Sequence, residues 1–270
     1  MNSMEKFNLK NRVIVITGAA GLIGRQYVKS LSDCGAISIV ADCDRTAAEK
    51  VVEEYGMGLA AAFKMEVSDR SSVVSTIKQV MKEFGRIDGL VNNAALDPKF
   101  DPEHDSQHTL TFENYPLEMW KKELSVNIDG MFLCAQAVAP YMLKQGKGNI
   151  VNISSIYGMA GPDQRLYQSD SGEQSFKPAT YTVSKSAVFG LTKYLAAYWR
   201  GKGIRVNTLT LGGVFNHHDD IFVQKYSDRT LLARMADADE YCGALIFLLS
   251  DAASYMTGAN LVVDGGWTAW

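Results

Sequence analysis

The sequence predicts an α/β protein, a doubly wound parallel sheet of about seven strands with helices on both faces. Three observations point there. Val13-Ile14-Val15-Ile16-Thr17 is an unbroken apolar, mostly β-branched run, the pattern of a strand buried on both faces. Gly18, Gly21 and Gly24 follow it at once, at three-residue spacing, where a helix opens. From there to Val263 short apolar runs alternate with stretches of helical period. No Pro/Gly/Ser-rich linker or run of like charge divides the chain, so residues 1–270 read as one domain.

Each element has its own signal. Ile23, Tyr27, Val28 and Leu31 share a helical face, and Gly35 ends that helix before a second strand, Ile37-Ser38-Ile39-Val40-Ala41-Asp42. Thr46 to Tyr55 reads as a helix and Leu59 to Met65 as a third strand. Val73, Ile77, Val80, Met81 and Phe84 mark one face of a helix from about Ser71. Gly89 to Asn93 makes a short fourth strand. A loop rich in Asp, Pro and His and without period then spans residues 96–116, a length usual for functional loops. Helical pattern returns from Leu117 to about Met142, and Asn149 to Ile153 makes a fifth strand ending at Ser154-Ser155. A second polar loop covers 158–179. The remaining elements are a strong helix from Tyr181 to Trp199, a strand from Ile204 to Thr210, a helix from Tyr241 to Leu249 and a strand at Leu261-Val262-Val263.

The first turn carries the earliest chemistry. Glycine is needed there because a side chain would keep the backbone away from a phosphate, and the free N–H groups opening the helix offer donors and partial positive charge. A dinucleotide pyrophosphate suits such a turn; a tight, ligand-free turn is the alternative. Asp42 ends the second strand about twenty residues on, where this fold places a carboxylate on the adenosine ribose. It would accept bonds from the ribose hydroxyls and repel an added phosphate, which favours NAD over NADP. Arg45 leaves both options open, as a contact to that phosphate or as a surface charge.

Composition narrows the partners. An apolar share of 47% allows a sizeable core, and a net charge of -3 gives no electrostatic footprint for nucleic acid. Small molecules are the expected partners. Cys34, Cys43, Cys134 and Cys242 are scattered without a CxxC pair, which suits thiols in a reducing compartment. No run approaches the ~18 apolar residues of a membrane span, and the N-terminus lacks an apolar export region, so a cytoplasmic protein without a membrane partner is expected. His104 and His108 near Asp101 and Asp105, and the run His217-His218-Asp219-Asp220, are metal-ligand types without zinc-site spacing. No metal is expected.

Tyr181 and Lys185 stand four apart on a helix, so phenol and ammonium share a face. A nearby cation favours the phenolate and would lower the tyrosine pKa toward the working range of a general acid/base. The alternative is an ordinary solvated face. Ser155, just past the end of a central strand, is placed to hold a substrate oxygen beside Tyr181.

With these residues in view, the chain resembles the short-chain dehydrogenase/reductase family from about Leu9 to Gly266. The resemblance rests on Thr17-Gly18 with the later glycines, Asn92-Asn93-Ala94-Ala95, Asn127 in Val126-Asn127-Ile128-Asp129-Gly130, Ser154-Ser155, Tyr181 with Lys185, Arg205-Val206-Asn207 and Val263-Asp264-Gly265-Gly266. It implies a Rossmann-type NAD(P)-binding domain and hydride transfer between a nicotinamide and a secondary alcohol or ketone. By it, Tyr181 is the acid/base, Lys185 lowers its pKa and binds the nicotinamide ribose, Ser155 orients the substrate oxygen, and Asn127 holds a relay water. The implied cofactor contacts are Gly18, Gly21, Leu22, Ile23, Gly24, Asp42, Glu66, Val67, Asn93, Ala94, Ala95, Tyr181, Lys185, Gly212 and Val214. A homo-oligomer, commonly a tetramer, is also implied. Its interfaces would be the helices beginning near Leu117 and Tyr181 and the C-terminal region, with Met119, Trp120, Phe132, Tyr198, Trp199, Trp267 and Trp270 as anchors or as core.

The chain departs from the pattern in several places. Gly21 comes one position early with Leu22 in its usual site, a spacing seen in the extended branch of sugar-nucleotide epimerases and dehydratases, whose chains are longer. Leu211-Gly212 stands for Pro-Gly, Asn216 for a frequent threonine, and Glu66 for an aspartate. The connection from Ser155 to Tyr181 is longer than usual, so the two loops would wall the pocket with polar groups. They suggest a polar, sugar-like and even anionic substrate, with Arg165 and Lys177 as anion contacts or as solvated loop charges. These insertions and the ending from Met256 to Trp270 look like those of short-chain reductases found with flagellin-glycosylation and surface-sugar genes. Two other readings stand beside an NAD-dependent oxidoreductase: an epimerase or dehydratase that recycles its NAD internally, and a non-catalytic dinucleotide-binding scaffold or sensor.

Overall fold

A computed structural model of the chain describes residues 3–56, 58–97, 110–168, 172 and 174–270. The strands are β1 (Val13–Thr17), β2 (Ile37–Asp42), β3 (Ala60–Lys64), β4 (Gly89–Asn92), β5 (Gly148–Ser155), β6 (Ile204–Leu211) and β7 (Asn260–Val263). They form one parallel sheet in the order β3-β2-β1-β4-β5-β6-β7. The helices are α1 (Leu22–Asp33), α2 (Arg45–Tyr55), α3 (Arg70–Phe84), α4 (Leu117–Leu124), α5 (Gly130–Gln145), α6 (Ala179–Tyr198), α7 (Asp220–Ser227) and α8 (Cys242–Leu249).

The burial of β1 explains the two layers of helices. Side chains alternate across a strand, so Ile14 and Ile16 face one core with Tyr27, Val28 and Leu31 of α1 and Leu245 and Leu248 of α8. Val13 and Val15 face the other, with Val73, Ile77 and Val80 of α3 and Cys134, Val138 and Met142 of α5. Each of these aliphatic side chains contributes about 1.5–3 kcal/mol by leaving water. The chain runs outward from β1 to β3, then returns to place β4 on the other side of β1. Connections leaving β1 and β4 therefore part to opposite faces and open a crevice at the carboxyl ends of the strands.

Helix ends follow local chemistry. Asp44 caps α2 by accepting the Ala47 N–H at 3.0 Å, and Asp69 caps α3 through the Ser71 N–H at 2.9 Å. Gly21 starts α1 with no side-chain cap, which leaves the first N–H groups of that helix facing the crevice.

The structure modifies one expectation, adds an element and sorts residues that the sequence left open. The helix expected as one run from Leu117 to about Met142 is broken by a π-helical turn at Ser125–Asp129. Such a turn inserts one residue into the helical register and carries no signature in apolar spacing. The short helix α7, held by Asp219 accepting the Phe222 N–H at 2.8 Å, has too few turns to show a period. Among the suggested oligomer anchors, Trp199 and Trp267 are buried in the core, Met119 and Trp120 are half-buried, and Phe132, Tyr198 and Trp270 are exposed. Among the described residues no helix is long and apolar enough to cross a membrane.

Candidate active site

The crevice widens into a cavity of about 820 Å³. At one end the glycine turn is fixed by contacts that require glycine. Gly18 has φ +60°, and a Cβ there would lie 2.7 Å from the Ala94 Cα. A Cβ on Gly24 would lie 2.4 Å from the Gly18 carbonyl, so α1 can approach β1 only without one. Thr17 Oγ1 accepts the N–H groups of Asn93 and Ala94, both at 3.0 Å, and Asn93 Nδ2 donates to the Thr17 and Gly18 carbonyls at 3.0 Å each. The residues after β4 thus hold the turn in place.

Asp42 stands at the lip of this end. Its carboxylate accepts the Ala20 N–H at 2.9 Å and the Asp44 N–H at 3.1 Å. Arg45 is turned to Glu49, 2.8 Å away, and does not line the cavity. The ammonium groups on the cavity wall belong to Lys177 and Lys185, and among the described residues no guanidinium lines it. Gly18, Gly21, Leu22, Ile23, Gly24, Asp42, Glu66, Val67, Asn93, Ala94, Ala95, Gly212 and Val214 all line it, as do Tyr181 and Lys185. The uncapped helix start, the close backbone approach and the acid at the end of β2 fit a dinucleotide.

Ser155, Tyr181 and Lys185 meet at the other end. Ser155 is the last residue of β5, where its hydroxyl accepts the Tyr157 N–H at 3.2 Å, and Tyr181 lies in the first turn of α6. Lys185 Nζ donates to the Ile153 carbonyl at 3.2 Å and stands 5.8 Å from the centre of the Tyr181 ring. Ser154 ties β5 to α6 by donating to the Lys185 carbonyl at 2.8 Å.

Burial decides the protonation of this group. The expected lowering of the Tyr181 pKa is not found: burial pushes it above the ordinary value, the Asp97 carboxylate adds to that, and the Ser155 hydroxyl opposes it. Burial pushes Lys185 down to about 8, against an upward pull from Asp97. Spacing alone shows the cation but not the desolvation that outweighs it.

Asn127 lies behind the wall, fully buried in the π-helical turn. Its Oδ1 accepts the Leu96 N–H at 2.7 Å, while Nδ2 donates to the Leu96 carbonyl at 3.0 Å and to Ser184 Oγ at 3.3 Å. These bonds hold the segment after β4 against α6.

The two suggested anion contacts part ways. Arg165 does not line the cavity; its side chain is 86% exposed and forks onto Asp163, at 2.8 and 2.7 Å. Arg229 reaches the same carboxylate, tying the loop after β5 to the segment following α7. Lys177 does line the cavity, with Nζ 2.6 Å from both oxygens of Asp97. Of the suggested metal ligands, His104, His108, Asp101 and Asp105 lie outside the described residues. Asp219 caps α7, and His218 stacks on Phe222 at 4.9 Å.

Sequence reasoning missed the aromatic wall opposite Tyr181. Tyr157 meets Tyr181 edge-on at 6.4 Å and accepts a hydrogen bond from the Tyr167 hydroxyl at 3.1 Å, and Phe222 and Tyr226 come from α7. The spacing of four between Phe222 and Tyr226 is the one local signal for it. Asp97 belongs to the loop expected to wall the pocket, but its pairing with Lys177 was not foreseen.

Fold and site together define a dinucleotide-binding α/β enzyme with a Ser-Tyr-Lys group at its substrate end. Residues 18–268 match the profile of a family described as enoyl-(acyl carrier protein) reductase. The chain is 30% identical over 263 residues to the post-translational flagellin modification protein A of Campylobacter coli, covering 96% of this chain and 99% of that protein. It is 34% identical over 269 residues to the D-threitol dehydrogenase of Mycolicibacterium smegmatis, covering 97% and 95%. Among solved structures, a gluconate 5-dehydrogenase from Burkholderia cenocepacia in complex with NADP and tartrate superposes with a TM-score of 0.87. It is 29% identical, with all of both chains covered. The chain belongs to the short-chain dehydrogenase/reductase family, whose members act on CH–OH groups.

Proposed function

We propose that this chain is an NAD-dependent oxidoreductase acting on a secondary alcohol or ketone of a polar, polyhydroxylated, sugar-like substrate, with Tyr181 as general acid/base. The observation that carries the reading is the meeting of Ser155, Tyr181 and Lys185 on one wall of a cavity whose far end is the glycine turn and Asp42. When bound, the nicotinamide supplies or accepts the hydride.

The chain's own residues position and protonate. The glycine turn and the start of α1 would hold the pyrophosphate, and Asp42 the adenosine ribose. The acid at the end of β2 and the absence of a lining guanidinium among the described residues support NAD over NADP. A substrate oxygen between Ser155 and Tyr181 receives the phenolic proton in reduction and returns it in oxidation. Lys185, with a pKa near 8, holds an ammonium beside that phenol and stabilises negative charge as it develops there. Asn127 is a positioning residue that keeps the Leu96 segment and α6 together. The exposed pair Tyr194 and Tyr198, stacked at 5.8 Å on α6, supports a homo-oligomer, and we read it as a tetramer. Similarity to threitol and flagellin-modification proteins supports a sugar-like substrate and a role in carbohydrate biosynthesis.

The experiment is anaerobic mixing with NAD or NADH and a panel of polyols, sugars, sugar phosphates and nucleotide sugars, following absorbance of the reduced nicotinamide. Wild type should change it with at least one alcohol or ketone, and Tyr181→Phe should lower kcat at least about a hundred-fold, the scale of a lost general acid. Turnover by mass without net absorbance change would instead establish internal hydride return. Cofactor binding without any turnover would favour a sensor.

A further inference from the structure

Two charged groups at the substrate end have no assigned role toward the substrate in the reading above. Lys177 Nζ touches both carboxylate oxygens of Asp97 at 2.6 Å, a pair formed across 80 positions of chain. The same ammonium lies 4.0 Å from the centre of the Tyr181 ring. Lys177 keeps 6% of its side chain exposed and Asp97 keeps 21%, and both line the cavity. The lysine backbone is held as well, its N–H donating to Gln164 Oε1 at 2.9 Å and its carbonyl accepting from Gln164 Nε2 at 3.1 Å. The ammonium is fixed beside the reacting centre.

A desolvated ammonium in that place would, by itself, receive a carboxylate or phosphate. Paired, it is neutralised. An anionic substrate would have to displace Asp97 and leave that carboxylate in the wall without its cation, a costly exchange in a partly dry site. A hydroxyl meets no such conflict, because it can donate to Asp97 or accept from Lys177 without altering the charge balance. The neighbouring carboxylate, Glu123, is instead engaged by the hydroxyls of Tyr115 and Thr180.

We propose that Asp97, by holding Lys177 over the Tyr181 ring, sets the charge selectivity of the substrate end, admitting an uncharged polyhydroxylated alcohol and excluding its carboxylate analogue. The inference rests on the dehydrogenase reading for the identity of the site, but its test does not need turnover. Glucitol and gluconate differ in one terminal carbon, and neither can react in a complex with NADH. Calorimetric titration of each into the protein saturated with NADH reads selectivity directly.

Wild type should bind glucitol more tightly than gluconate. Asp97→Asn, which frees the ammonium at constant shape, should raise gluconate affinity at least about ten-fold, the factor for one charge-assisted hydrogen bond. Lys177→Met, which strips the carboxylate of its cation, should lower gluconate affinity below that of wild type. A pair that only braced the wall would move both variants the same way. Wild type preferring gluconate, no gain in Asp97→Asn, or a gain in Lys177→Met overturns the proposal. Absence of NADH formation with every alcohol would refute the dehydrogenase reading instead, leaving these binding ratios to decide the selectivity.

Discussion

Replacing Lys185 with methionine should stabilise this protein at neutral pH even as it disables the site. The buried ammonium has a pKa of about 8, against 10.5 for a free lysine, which corresponds to roughly 3 kcal/mol of unfavourable charging in the folded chain. Methionine has similar length, so it leaves no large void, but it forfeits the bond to the Ile153 carbonyl, worth about 1 kcal/mol. The net gain is about 2 kcal/mol, a rise in Tm of roughly 4–6 °C for a chain of this size. The pH dependence gives the sharper check. Between the folded pKa and the unfolded one the unfolded chain binds more protons, so wild-type stability climbs as pH rises through that window. Below the folded pKa the penalty is complete. The advantage of Lys185→Met should therefore be full at about pH 6.5 and vanish near pH 10, as followed by thermal unfolding. A variant that melts below wild type at the lower pH, or an advantage that does not narrow with pH, refutes the reasoning.

Two further outcomes follow from the same geometry. Asp42→Ala removes the acceptor at the end of β2 and should raise KM for NAD roughly ten-fold while narrowing the preference over NADP, measured by initial rates with each cofactor. An unchanged cofactor ratio would remove Asp42 from that role. Tyr194→Glu combined with Tyr198→Glu places charge on the exposed stacked pair of α6 and should shift the mass seen by sedimentation below that of a tetramer; an unaltered mass would move the interface elsewhere.

What could be read from the sequence is what local geometry dictates. The β1 run, the glycine turn and Asp42 lie within one βαβ unit, so their spacing alone places them together. Tyr181 and Lys185 are one helical turn apart, and Ser155 sits where a parallel strand must end. Arg165 shows where such reasoning stops. Its side chain is claimed by Asp163, two residues before it, and a loop sequence does not say which way a side chain turns. Asp97 and Lys177 are 80 positions apart on two aperiodic loops, so their pairing has no local signal. The Tyr181 pKa failed for a related reason, because spacing reports a nearby cation and only the assembled walls report dryness.

The π-helical turn at Ser125–Asp129 acts as a phase shifter. One residue added to a helix rotates everything beyond it by about 100°, so α4 and α5 are two helices joined out of step. Before that step Glu123 accepts from Tyr115 and Thr180, within it Asn127 bonds Leu96, and beyond it Cys134 and Val138 sit in the core. The extra residue separates the face that braces α6 from the face that packs in the core. Sequence can then drift on one side without re-registering the other.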